Sequence, residues 1–244
     1  MLRQGFTTLL AAILMLGVGI LPSHAHAQQE AEESYDPFAD YSEFEESAEE
    51  EADINFFRNG RFFTLGFIGG YRDFTETMGT IQKPAVAFGM FISYFFDLRF
   101  ALQLGFLTGD HKLSFKAPNG SAINGNVSLT DISMNLKYYL NTQNVTRGLA
   151  KMNPYFIGGF SQVYRTTSVV GESAFGKEGA MGFDLGVGIE LPLMRNMYFG
   201  GQGMFQLVSF QNENSEIILA NNQATGLYNK GDIMTLLFIL GLNF

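Results

Sequence analysis

Groups able to carry out catalysis are few in this chain of 244 residues. It has no cysteine and three histidines, and two of those, His24 and His26, fall in an N-terminal stretch that reads as a leader. The third, His111, stands in Thr108-Gly-Asp110-His111-Lys112, with Asp110 adjacent and Ser114 three positions on. Hydrolytic chemistry needs a nucleophile or an activated water beside a base, usually a histidine held by a carboxylate. In an extended chain, positions of opposite parity point to opposite faces, so neither Asp110 nor Ser114 shares a face with His111. Asp-x-Asp, Asp-x-His and His-x-Ser pairings are missing from the region around it and beyond, as are His/Cys clusters with metal-ligand spacing. No catalytic, cofactor-binding or metal-ligating residue is therefore assigned, and the chain reads as non-enzymatic. No stretch has the make-up of a nucleic-acid surface.

The charges that remain are distributed unevenly, which sets the domain boundaries. Residues 1–27 combine Arg3, an apolar run from Leu9 to Leu21 and a closing Ala25-His26-Ala27, the pattern of a cleavable signal peptide. From Gln28 to Ile54 there are 12 acidic residues and no basic ones. So much like charge with so little apolar content predicts a disordered acidic arm over 28–54. Within it Tyr35, Phe38, Tyr41 and Phe44 recur every third position, a spacing suited to docking on a partner while the carboxylates steer the approach. From Asn55 to Phe244 there are 12 acidic and 14 basic residues, so 55–244 is a nearly neutral domain of a different kind.

That domain alternates. A membrane-spanning β-strand needs about 9–11 residues, with alternate side chains facing lipid. Eight segments qualify, at about 61–73, 85–96, 98–107, 129–140, 154–165, 182–191, 197–210 and 234–244. The last places Met234, Leu236, Phe238, Leu240, Leu242 and Phe244 on one face, and the facing of the fifth and seventh, both rich in Gly, stays open. Short links at 96–98 and 192–196 alternate with longer ones at 108–128, 166–180 and 211–231, as periplasmic turns alternate with outer loops. The link 74–84 is brief for an outer loop and 141–153 long for a periplasmic one. Aromatic pairs at the periplasmic strand ends, among them Phe62-Phe63, Phe95-Phe96, Tyr138-Tyr139, Tyr155-Phe156 and Tyr198-Phe199, read as an interfacial girdle. The fold class expected is all-β: a closed, antiparallel, eight-stranded transmembrane barrel after a signal peptide and an acidic arm. On its wall, Gly182-x-x-x-Gly186-x-Gly188 is an inward row of small residues and not a phosphate loop.

With its signal peptide, eight strands, Gly-rich wall and closing Leu240-Gly-Leu242-Asn-Phe244, the sequence resembles small outer-membrane barrels of the OmpA, OmpX and OmpW kind. The resemblance implies a Gram-negative outer membrane, with lipid around the wall and the arm in the periplasm. It also implies insertion by the barrel-assembly machinery, with Leu236, Phe238, Leu240, Leu242 and Phe244 as the terminal-strand signal. No cofactor is implied.

An eight-stranded barrel is just wide enough for its inward side chains to fill it, so a general diffusion pore is not expected. Parity places Arg72, Asp131 and Asp184 in one lumenal layer near the outer rim, and Arg99, Lys137 and Glu190 in another near the periplasmic end. Charges enclosed in this way should be paired. Ile68, Phe91, Phe95, Ile233, Leu237 and Ile239 make one side of the lumen apolar. Two functions fit: a structural or interaction protein whose outer loops and acidic arm make contacts, including with a periplasmic protein, or a narrow OmpW-like conduit for small apolar solutes.

Overall fold

The computed structural model describes residues 62–140, 152–169, 177–211, 213–219, 222–228 and 230–244. The leader and the acidic arm, with Tyr35, Phe38, Tyr41 and Phe44, lie outside the described residues, as does most of the link 141–153. The strands are β1 (Phe63–Phe74), β2 (Ala85–Phe95), β3 (Phe100–Lys116), β4 (Ala122–Tyr139), β5 (Asn153–Val169), β6 (Lys177–Met194), β7 (Met197–Val208), β8 (Glu216–Ile218), β9 (Ala224–Tyr228) and β10 (Ile233–Asn243); one helical turn, α1, spans Met78–Ile81. Eight of the strands close a barrel in the order β1-β10-β7-β6-β5-β4-β3-β2, and β8 and β9 form a separate small hairpin.

Closure follows from the need to pair every backbone N–H and C=O where no water can reach. Every neighbouring pair in the barrel is antiparallel, and β10 seals it against β1. The seal extends to the last residue, with Phe62 N donating to Phe244 O at 3.0 Å and Phe244 N to Phe63 O at 2.8 Å. One row of paired residues runs from Thr64 through Ser93, Gln103, Asn135, Gly159, Asp184, Gln206 and Ile233. It returns to β1 at Phe74, ten residues further along the strand than where it began. That stagger tilts the strands, so the row climbs the wall from the periplasmic end toward the outer end.

In the lower part of the wall, the outward residues are those that alternation assigns to lipid. Phe67, Phe88, Met90, Ile92, Leu104, Ile132, Met134, Phe160, Leu185, Phe238 and Leu240 are all exposed. Met234 departs from this pattern: at 6% exposure it is buried despite its outward parity. The aromatic girdle is split. Phe63, Phe96, Phe156 and Phe199 face out, whereas their neighbours Phe95, Tyr155 and Tyr198, together with Tyr139, are buried. Adjacent residues within a strand cannot share a face, so in these pairs one ring reaches the headgroups; Phe62, which precedes β1, is exposed together with Phe63.

The outer loops differ most from expectation. The segment 108–128 continues β3 and β4, which run 17 and 18 residues and leave only 117–121 as a turn. Beyond Phe106 the outward residues become polar (Asp110, Lys112, Lys116 and, on β4, Asn124, Asn126 and Ser128), while Leu113, Phe115, Ile123, Val127 and Leu129 turn inward. The pattern inverts because the surrounding solvent has changed from lipid to water. Segment 74–84 contains α1, and 211–231 contains β8 and β9. From these, Met78, Ile81, Ile217 and Leu219 join Phe74, Leu113, Phe115, Val127, Leu129, Val163, Val208, Phe210 and Ile233 in one apolar core. The α1 segment is held in place by Thr75 N to Asp232 O at 2.9 Å, Met78 N to Lys230 O at 2.9 Å and Lys83 N to Lys112 O at 2.8 Å.

Glycine is needed where large rings lie against the inner wall. A Cβ on Gly188 would enter the Tyr155 ring, and one on Gly66 the Phe91 ring. Replacing Gly188 with Val is expected to lower the stability of the folded barrel by about 1–3 kcal/mol through overpacking, measured as a drop in the urea midpoint of detergent-solubilised protein.

Candidate functional site

The candidate site is the lumen, which is filled in three layers. At the periplasmic end Lys137 Nζ lies 3.0 Å from Glu190 Oε1. The Tyr139 hydroxyl donates to the same oxygen at 3.0 Å. The ammonium also sits 4.4 Å from the Tyr155 ring centroid and 5.2 Å from that of Phe91. Tyr139 packs against Phe95 at 5.7 Å and Tyr155 at 5.4 Å. The Tyr155 hydroxyl donates to Gln202 Oε1 at 2.8 Å. Both charged groups are thus paired and enclosed by aromatic rings, the condition under which a buried ion pair is tolerated.

The middle layer is carboxylate-rich. Gln206 Nε2 donates to Asp131 Oδ2 at 3.1 Å and Asp184 Oδ1 at 3.0 Å, and lies 2.6 Å from Ser161 Oγ. Ser161 Oγ in turn donates to Asp184 Oδ1 at 2.7 Å. Arg72, almost wholly buried, donates through Nη1 to Leu129 O at 3.3 Å and makes no ion pair with Asp131.

The outer layer joins the barrel to its apolar cover. Arg165 is ion-paired with Glu178. It lies 3.9 Å from the Phe210 ring and 3.5 Å from Met78 Sδ of α1. His111 is buried, with Nδ1 3.2 Å from Lys83 O and its ring edge-on to Phe74 at 4.7 Å. Asp110 points the other way and accepts from Ser128. Among the described residues no base and nucleophile come together at His111.

The six lumenal charges named from sequence are therefore distributed as follows. Lys137 and Glu190 meet. Asp131 and Asp184 are bridged by Gln206, with Arg72 in the same layer but turned to a carbonyl. Arg99 lies outside the strands, part-exposed in the turn before β3, where its N–H donates to Asp97 Oδ1 at 2.6 Å. The layer of Arg72, Asp131 and Asp184 sits beneath the apolar core and not at the outer rim, because β4 and β6 continue well beyond Asp131 and Asp184. Of the apolar lumenal residues, Ile68, Phe91, Phe95, Leu237 and Ile239 are buried in the wall, and Ile233 joins the outer core. Sequence reasoning missed Ser161, Arg165, Glu178, Gln202 and Gln206. The available signal was parity: Arg165 and Ser161 share a face with Tyr155, and Gln202 and Gln206 alternate with Gly201 and Phe205.

Removing one partner of the lower pair isolates a buried charge. Lys137→Met should destabilise the barrel by about 3–5 kcal/mol, and adding Glu190→Gln should recover a substantial part of that. Denaturant titrations of the single and double variants check both outcomes.

The profile of the outer membrane protein beta-barrel domain family matches residues 13–227. No curated protein matches the sequence. Among solved structures, the outer membrane protein OprG from Pseudomonas aeruginosa aligns with a TM-score of 0.52 and 13% identity, covering 76% of this chain and 98% of that one. Neisserial surface protein A aligns with a TM-score of 0.48 and 14% identity over 75% of this chain and 97% of its own. The N-terminal β-barrel domain of Pseudomonas aeruginosa OprF gives 0.44 and 16%, with coverages of 76% and 99%. At these identities the likeness concerns the fold.

Proposed function

This chain belongs to the outer membrane protein beta-barrel domain family, and from that premise we propose that it is a closed, non-enzymatic barrel with a structural and interaction role. The observation that carries this reading is the apolar core at the outer end. There α1 and the β8–β9 hairpin fold inward, and Met78, Ile81, Phe210, Ile217 and Leu219 pack on the wall residues Phe74, Leu113, Val127 and Ile233. An outer mouth built in this way is packed like a protein interior, and moving a hydrated ion through it would require unpacking it. His111 supports the non-enzymatic part: it is buried against Phe74, away from Asp110. The surfaces left for contact are the polar β3–β4 extension, carrying Asp110, Lys112, Lys116, Asn124 and Asn126, and the acidic arm 28–54. Through Tyr35, Phe38, Tyr41 and Phe44, the arm would engage a periplasmic protein.

Two experiments test this reading. In planar bilayers the purified protein should give no steady conductance, whereas Met78→Asp or Phe210→Ala should introduce openings by loosening the cover. Steady wild-type conductance, or transport of an apolar solute, would favour the conduit instead. A pull-down from envelope extract should lose its periplasmic partner when 28–54 are deleted; identical partners with and without the arm would remove the arm from the reading. His111→Ala should lower the unfolding midpoint and change no activity.

A further inference from the structure

The surface charges of the outer end are sorted by side. On the flank formed by β2 to β6, Lys83 after α1, Lys112 and Lys116 on β3 and Lys177 on β6 are all exposed. Among the described residues, the outward carboxylate at this end of that flank is Asp110, which accepts from Ser128. The connections around β7, β10 and β1 carry the opposite sign: Glu76, Glu213, Glu216 and Asp232 stand there with Lys230, which pairs with Glu76 at 3.7 Å. None of the four lysines on the first flank has an ion-pair partner among the described residues.

Two of these cations are neighbours. Lys83 N donates to Lys112 O at 2.8 Å, and Gln82 and Leu113, paired at the same point, are both buried. Parity therefore sends Lys83 and Lys112 outward together. Like charges opposite each other on adjoining strands are destabilising, so this pair favours an anion between them. Alcohols and amides lie alongside: the register runs from Asp110 through Ser128 and Thr166 to Lys177, and from Lys112 through Asn126 to Ser168. This face begins where the lipid-facing wall ends. The uppermost large apolar side chains exposed on β2 to β6 are Val86, Phe106, Ile132, Tyr164 and Met181. Val86 lies beside Gly109 of β3, so Lys83 and Lys112 each stand three residues beyond it toward the outer end. That is about 10 Å along a strand, and less in height because the strands tilt. The headgroup zone extends roughly 5–7 Å past the hydrocarbon on each side, within reach of long lysine side chains anchored there.

We propose that this flank binds the phosphorylated headgroup of a saccharide lipid in the outer leaflet, with Lys83, Lys112, Lys116 and Lys177 on its phosphates and the alcohol and amide rows on its sugar. Lysine binds phosphate as a point charge, and four such charges suit a headgroup with more than one phosphate. A phosphorylated sugar also supplies hydroxyls to Asn126, Ser128, Thr166 and Ser168, which a simple phospholipid does not. Its acyl chains lie on Val86, Phe88 and Phe106 directly below. The proposal names the partner of the polar β3–β4 extension and so rests on reading that extension as a contact surface; it does not depend on whether the lumen conducts.

The test titrates the mature full-length protein, in zwitterionic detergent, with diphosphoryl lipid A, with its dephosphorylated form and with phosphatidylglycerol, reading affinity by calorimetry. The wild type should bind diphosphoryl lipid A more tightly than either other lipid, and free inorganic phosphate should not displace it. Replacing Lys83 and Lys112 together by Gln should weaken that binding by roughly 30-fold. Adding Lys116→Gln and Lys177→Gln should bring it to the level of the dephosphorylated lipid. Arg at positions 83 and 112 should retain binding, and Lys230→Gln, on the acidic flank, should leave it unchanged. The altered side chains are exposed, so a heat-modifiable electrophoretic shift like that of the wild type verifies folding; if the fourfold variant does not fold, the Lys83/Lys112 pair decides. Equal affinity for the phosphorylated and dephosphorylated lipids would overturn the proposal, as would wild-type affinity in the Gln variants. Phosphatidylglycerol binding as tightly as diphosphoryl lipid A would also overturn it, by reducing the flank to general attraction for anionic lipid. Phosphate-insensitive binding together with silent bilayer recordings removes this proposal and leaves the closed-barrel reading standing; phosphate-dependent binding by a steadily conducting protein does the reverse.

Discussion

Backbone pairing in a medium without water is the constraint on which this structure depends. Hydrocarbon offers nothing to an unpaired N–H or C=O, so a sheet can cross it only by closing on itself. β10 does this by lying between β1 and β7. Closing a sheet of eight strands with a ten-residue stagger tilts every strand and fixes a narrow interior. That interior admits side chains, aromatic rings over glycines such as Gly66 and Gly188, and little else.

The same strands meet two solvents, and their polarity responds to each. Within the membrane the apolar residues face out and the lumen takes the polar and small ones, as in Phe100 to Phe106 against Ala101 to Gly105. Above it, β3 and β4 turn Leu113, Phe115, Ile123 and Val127 inward and leave Lys112, Lys116, Asn124 and Asn126 outside. The outer half is thus organised like a water-soluble β-protein, with a core driven by removing apolar surface from water. The lower half is organised for lipid. Where the two meet, α1 and the β8–β9 hairpin complete the core and cover the lumen.

Beneath that cover, buried charge is handled in three ways. Lys137 and Glu190 pair directly and are flanked by rings; Arg165 pairs with Glu178 and stacks on Phe210; Asp131 and Asp184 share the amide of Gln206. Each solution uses residues from several strands, so the network also fixes register. A slip of one residue in any of these strands would turn that strand's groups to the outside of the barrel.

The sequence by itself determined the barrel. The two-residue rhythm, the eight candidate spans and the closing Leu240-Gly-Leu242-Asn-Phe244 are local properties, and lipid imposes them strand by strand. Parity also placed Lys137, Glu190, Asp131 and Asp184 inside. Three things needed the tertiary structure. Segment 108–128 reads as a loop because its polar face is outward and its Gly and Asn content is high, yet it extends a hairpin whose apolar residues find a core only when α1, β8 and β9 arrive from distant segments. The facing of β5 and β7, and with it the roles of Ser161, Arg165, Gln202 and Gln206, stayed open because glycine on both faces erases the alternation. The partners of each buried charge depend on stagger, which no single strand records: Asn135 meets Gly159 and Asp184 only because the closed wall is sheared by ten residues.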